Sequence, residues 1–124
     1  HVGFLAYSPL QRGLLFGHWT RDKTFPANDH RAERADFRGK RLARYLDAVD
    51  ELKKIAEEDE MTVAQLAIGC LLCTEGLTAA IVGARNAEQG AALGDLGLPV
   101  KAKQLAAVDD VIARLNKDLA TITE

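Results

Sequence analysis

Residues 2–13 read VGFLAYSPLQRG. The run from Val2 to Tyr7 is short, rich in β-formers and apolar almost throughout. That pattern predicts a strand buried on both faces, as in parallel sheets. Ser8-Pro9 ends it, because Pro9 has no N–H to give to a ladder. Thr78 to Val82 (TAAIV) predicts a second buried strand, followed by a turn at Gly83 to Arg85. What lies between the two is helical after an irregular start. From Gln11 to about Arg38 the sequence is rich in Gly, charges and aromatics without a sustained period. It reads as a long loop with a helical turn near Leu14 to Trp19. Leu42, Leu46, Val49, Leu52, Ile55 and Ala56 then recur at helical spacing, predicting a helix from about Lys40 to Glu58.

Thr62 and Gln65 have capping-box spacing, and Val63, Leu66, Ala67, Cys70 and Leu71 mark the apolar face of a further helix that Gly76 stops. A helix starting near Asn86 or Ala87 is weakened by glycines at 90, 94 and 97. Leu105, Val108, Ile112, Leu115 and Leu119 step by threes and fours along a final amphipathic helix. Two parallel-type strands separated by helices predict part of an α/β fold. A closed eight-stranded α/β barrel takes about 250 residues, so roughly half of one is missing from a chain of 124. The first residue is His1 rather than Met, at the edge of a strand, which leads us to expect a piece of something longer.

The formal net charge of -2 gives no reason to expect nucleic acid or an anionic membrane as partner. No apolar run approaches the roughly 20 residues that span a bilayer, and no signal peptide is visible. A cytoplasmic location is the default expectation.

Two segments follow the predicted strands: AYSPLQRG at Ala6 to Gly13, continued by Leu14, Leu15 and Gly17, and AAIVGARNAEQ at Ala79 to Gln89. Val63-Ala64-Gln65-Leu66-Ala67-Ile68 lies between them. In this order and spacing the chain resembles the C-terminal part of an aldo-keto reductase over nearly its whole length. The resemblance implies a single domain that forms part of a (β/α)8 TIM-type barrel, with NADP as cofactor. It maps the pyrophosphate contacts onto Ser8, Pro9, Leu10, Gln11 and Arg12, and places Tyr7 where many relatives have an aromatic near the nicotinamide. Gly83, Arg85 and Gln89 become the candidates for the adenosine phosphate. A helix N-terminus after a glycine turn offers unpaired N–H groups, and an arginine beside it suits the 2′-phosphate.

The sequence departs from the family at Ala92 and Leu93, where many relatives carry a Glu-Asn pair toward the adenine, and at His18, often a lysine. The family's catalytic Asp, Tyr, Lys and His come from the first half of the barrel, and nothing in this chain matches their motifs. Tyr7 is not the catalytic tyrosine.

Plainer readings stand beside these. Ser8 to Leu10 also reads as an ordinary strand-ending turn, and Arg85 as a solvated surface arginine. Cys70 and Cys73 form a C-x-x-C, but at a helix C-terminus rather than at the N-terminus where the dipole would activate a thiol, so they read as structural. No metal site is expected: His1, His18 and His30 show no ligand pattern. His30, between Asp29 and Arg31, reads as loop or as substrate mouth, and Trp19 and Phe25 as loop packing or substrate contact. Lys53 to Glu60 reads as the wet face of a helix.

The leading expectation is therefore a segment of an NADP-dependent aldehyde or ketone reductase, inactive alone, partnered by the missing half of the barrel. The alternatives are a non-enzymatic helical chain stabilised as a homo-oligomer and, less favoured, a small standalone NADP-binding module.

Overall fold

A computed structural model describes residues 2–123; His1, and with it any reading of that histidine, lies outside the described residues. The elements follow in the order β1 (Phe4–Tyr7), α1 (Gly39–Glu57), α2 (Val63–Leu72), β2 (Leu77–Ile81), α3 (Ala87–Gly94) and α4 (Ala102–Ala120). Short 3-10 turns at Gln11–Phe16 and Ala35–Phe37 interrupt the connection from β1 to α1.

The strands pair in parallel, Tyr7 opposite Ile81 and Ala6 opposite Ala80, with a register irregularity between Phe4 and Leu5. At that irregularity the Phe4 N–H donates to the Thr78 hydroxyl (3.0 Å), so a side chain supplies an acceptor beside the broken ladder. Their parallel sense and adjacency agree with the sequence; their burial does not. Phe4 is 61% exposed and Tyr7 78% exposed, and Leu5 and Ile81 are also open. The physical reason is one-sided cover. Ala80 and Val82 pack toward Ala64 and Ile68 of α2, whereas β1 has only β2 beside it among the described residues.

The core sits where the helices meet. Leu42, Leu46, Val49, Leu52 and Ala56 line the buried side of α1, as the 3.6-residue period requires. Leu52 and Ala56 meet Val63 and Leu66 of α2 and Val108 and Val111 of α4 in one cluster. The capping box starts α2: the Gln65 N–H donates to the Thr62 hydroxyl (3.2 Å), and the Thr62 N–H to Gln65 Oε1 (2.8 Å). Buried residues on α2 are Val63, Ala64, Leu66, Ile68 and Gly69, a wider stripe than the sequence pattern indicates. One side faces α1 and α4, while the side of Ala64 and Ile68 faces Leu10 and β2. Gly69 is required by a close approach: a Cβ there would lie 2.6 Å from the Leu98 carbonyl oxygen and from Val100 Cγ1.

Helix α4 buries Gln104, Val108 and Val111 rather than the whole predicted face, and Ile112 is 46% exposed. It packs chiefly on α1 and only slightly on α2, and that cover is a narrow stripe. Gln104 fits there because its Oε1 accepts from the Lys101 N–H (2.8 Å) and its Nε2 reaches Met61 Sδ (3.5 Å). The charged run at the end of α1 faces water as its composition predicts, and there Glu58 pairs with Lys103 (2.8 Å) and Asp59 with Lys101 at the surface. Among the described residues no helix is long and apolar enough to cross a membrane.

Candidate functional site

Parallel strands deliver their C-terminal ends to the same edge of the sheet, and here Tyr7 and Ile81 lie opposite one another at that edge. The segments Ser8 to Gly13 and Val82 to Gln89 therefore leave adjacent strands side by side. Open and closed α/β sheets alike bind ligands at this edge, where loops rather than strands present the backbone.

The first segment is a strained turn. Ser8 (φ 51°), Gln11 (φ 50°) and Arg12 (φ 57°) are all left-handed, and among the described non-glycine residues only Glu60 shares that sign. Each such residue costs about 1–2 kcal/mol relative to a right-handed one. Gly13 (φ 107°) completes the run without a Cβ penalty. Such strain persists only where neighbours fix it, and it concentrates at binding sites. The Gln11 N–H donates to the Ser8 carbonyl (3.0 Å) and the Gly13 N–H to the Leu10 carbonyl (3.1 Å), so these two N–H groups are directed inward. Leu10 is buried with Ala64 and Ile68, which leaves only its backbone for a ligand. Tyr7, Ser8 and Gln11 are exposed and Pro9 half-buried. The donors this turn offers are thus the Ser8 hydroxyl, the Gln11 and Arg12 side chains and the Leu10 backbone N–H.

Arg12 is already engaged on one side. Its Nη1 lies 2.7 Å from His30 Nε2. A guanidinium only donates, so Nε2 accepts and the imidazole proton sits on Nδ1. Beside it, Arg31 forks onto both oxygens of Asp29 and donates from Nη1 to the Arg12 carbonyl (3.1 Å). Hydrogen bonds from Arg31 hold the Asp29 carboxyl well below the usual carboxylate range. Trp19 and Phe25 pack edge-on at 5.0 Å, and both also meet Phe37. The sequence signals no link between residues 12 and 30–31, because contacts across an irregular loop have no period.

The second segment is open. Gly83, Arg85 and Gln89 are all exposed, and a Cβ at Gly83 would meet nothing within 4 Å. Asn86 caps α3, its Oδ1 accepting from the Gln89 N–H (2.9 Å), while Gln89 Oε1 accepts from the Arg85 N–H (2.9 Å). Gln89 thus shapes the turn, and its amide NH2 remains as donor. The first-turn N–H groups of Ala87 and Glu88 have no partner within the helix. The Arg85 guanidinium projects from this turn with no ion pair among the described residues.

Other features lie elsewhere. A cavity of about 340 Å³ between the loop and α1 is lined by Arg21, Lys23, Phe25, Phe37 and Arg38; it includes Phe25 but none of the predicted cofactor-binding residues. Cys70 and Cys73 are free thiols at the end of α2, and burial pushes the Cys70 thiol up, away from reactivity.

A family model described as the aldo/keto reductase family matches residues 1–113. Aldo-keto reductase YhdN of Bacillus subtilis (strain 168) is 37% identical over 93 residues, covering 74% of this chain and 28% of that protein. Aldo-keto reductase yakc of Schizosaccharomyces pombe, whose name includes NADP(+), is 29% identical over 72 residues, 58% of this chain and 21% of that protein. The structure of the glycerol dehydrogenase AKR11B4 from Gluconobacter oxydans matches with a TM-score of 0.80 at 37% identity, covering 89% of this chain and 34% of that one. The chain thus spans about a fifth to a third of the length of these relatives. Its two parallel strands and their helices are part of a TIM-type (β/α)8 barrel. A match from residue 1 to residue 113, carried by that barrel geometry, places the chain in the aldo/keto reductase family.

Proposed function

We propose that this chain supplies the NADP-binding edge of an NADPH-dependent aldehyde or ketone reductase, as one segment of a longer catalytic unit. One observation carries the reading: the strained Ser8–Gly13 turn and the open Gly83–Gln89 turn leave neighbouring parallel strands at the same edge. The donors fit the two ends of a dinucleotide phosphate. Ser8, Gln11 and Arg12 offer a hydroxyl, an amide and a guanidinium toward the pyrophosphate. Arg85 and the N-terminus of α3 offer charge and N–H groups toward the 2′-phosphate. NADP(+) in the name of the S. pombe relative supports the same cofactor. When bound, NADPH supplies the hydride to the carbonyl carbon. Proton donation to the oxygen falls to a tyrosine that this chain does not carry in a matching motif, so the chain alone is inactive.

Titration of the purified chain with NADPH, read by cofactor fluorescence with NADH in parallel, tests the site. Saturable binding that favours NADPH is expected; no binding up to about 1 mM, a range where even the weakest useful sites register, rejects it. Carbonyl-dependent NADPH oxidation by this chain alone would overturn the assignment of catalysis to residues outside it.

A second reading concerns the partner. Phe4, Leu5, Tyr7 and Ile81 are exposed on a two-stranded sheet, and such faces are normally covered. Either the rest of a barrel or a second copy of this chain serves. Light scattering separates them: a dimer supports the homo-oligomer, and a monodisperse monomer removes it.

A further inference from the structure

The left-handed run Gln11–Gly13 needs something outside itself to hold it, and Asp29 and Arg31 are placed to do so. Arg31 Nε and Nη2 donate to the two Asp29 oxygens at 2.6–3.1 Å, and Asp29 Oδ1 also accepts the Arg31 backbone N–H (2.9 Å). Both side chains are more than four-fifths buried. The Arg31 guanidinium lies 4.7 Å from the Phe25 ring centroid and 5.8 Å from that of Trp19. In this arrangement Nη1 meets the carbonyl oxygen of Arg12, which follows Gln11 in the left-handed run. His30, between them in sequence, accepts from Arg12 Nη1 at 2.7 Å and stands 3.8 Å from Asp29.

We propose that Asp29 and Arg31 are positioning residues for the cofactor turn: Asp29 aims Arg31, and Arg31 pins the Arg12 carbonyl, so that Ser8, Gln11 and Arg12 present their donors together. This rests on the cofactor reading of that turn and adds to it two residues that act through the turn's backbone. The role requires arginine. A lysine ammonium keeps the charge but lacks the planar fork that engages both Asp29 oxygens and the Arg12 carbonyl beside the Phe25 ring.

The test compares the wild-type chain with Arg31→Lys and Arg31→Met, by amide hydrogen exchange without cofactor and by NADPH titration. In both variants exchange at residues 11–15 is expected to rise about tenfold, the equivalent of one charge-assisted hydrogen bond. Exchange in the buried stretches of α1 and α2 stays unchanged, and NADPH binding weakens by a similar factor. Arg31→Lys is the decisive variant, since it retains charge and length if Arg31→Met fails to fold. Unchanged exchange at residues 11–15 in Arg31→Lys overturns the proposal. So does unchanged NADPH affinity in a variant of a wild type that binds. If the wild type binds no NADPH, the cofactor reading of the turn fails, and the exchange comparison alone still decides whether Arg31 holds it.

Discussion

Leu66→Ala is expected to lower the melting temperature of this chain by about 9–18 °C, from a loss of about 3 kcal/mol at roughly 3–6 °C per kcal/mol for a domain of this size. Leu66 is 1% exposed and is the largest fully buried side chain among the described residues. It sits where three helices converge, against Leu52 and Ala56 of α1, Val63 of its own helix, and Val108 and Val111 of α4. Its neighbours on α1 and α4 project from helices of 19 residues each, whose backbones relax only partly to close the void. A cavity term then adds to the lost transfer energy. The margin is small as well, because a domain keeps only about 5–15 kcal/mol in total and this sheet leaves apolar area in water. Thermal melts followed by far-ultraviolet circular dichroism check the value, with Ile112→Ala as control. Ile112 is exposed on α4, and its loss moves the midpoint by no more than a few degrees. A shift for Leu66→Ala no larger than the control's means that the helices do not share one core.

The same residues show what was legible in the sequence. Helix α1 could be read because its apolar residues repeat with the helical period and the neighbours of that face were not needed to find it. The capping box of α2 could be read because Thr62 and Gln65 satisfy each other locally. Which side of a helix is covered, and how broadly, depends on partners that a period does not name. Ile112 therefore shares the predicted face of α4 yet lies in solvent, and Gln104 is buried although polar. The strands and their parallel sense could be read, but not their cover: their composition encodes burial on both faces, and the described residues cover one.

The site divides along a similar line. Its two segments were found through their residue types and order after strands, and both emerge at one sheet edge. The clamp behind the first segment was not found. Arg31 and Arg12 are nineteen residues apart in a loop, joined by a side-chain-to-carbonyl bond that leaves no trace in spacing. Nor does a sequence reveal that Ser8, Gln11 and Arg12 are left-handed, since none of them is a glycine.

Arg85→Ala is expected to weaken NADPH binding about 10- to 100-fold at low salt while leaving NADH binding unchanged, the factor equivalent to about 1.5–3 kcal/mol for hydrogen bonds to a charged group. The substitution is clean because the turn uses only the backbone of this residue: the Arg85 N–H donates to Gln89 Oε1, and Asn86 caps the helix independently. Removing the guanidinium therefore takes away charge without releasing the backbone. The planar fork of arginine matches two oxygens of a 2′-phosphate at once, so Arg85→Lys recovers only part of the loss. Arg85 is exposed, which sets the sign of a second dependence. Screening of an exposed pair lowers the wild type's preference for NADPH as salt rises, while the alanine variant shows little salt response. Parallel titrations with both cofactors at two salt concentrations separate the explanations. Equal weakening for NADPH and NADH means that Arg85 shapes the turn rather than meeting the phosphate. An unchanged affinity for both returns it to an ordinary solvated arginine, and the 2′-phosphate end of the site must then be sought outside the Gly83–Gln89 turn.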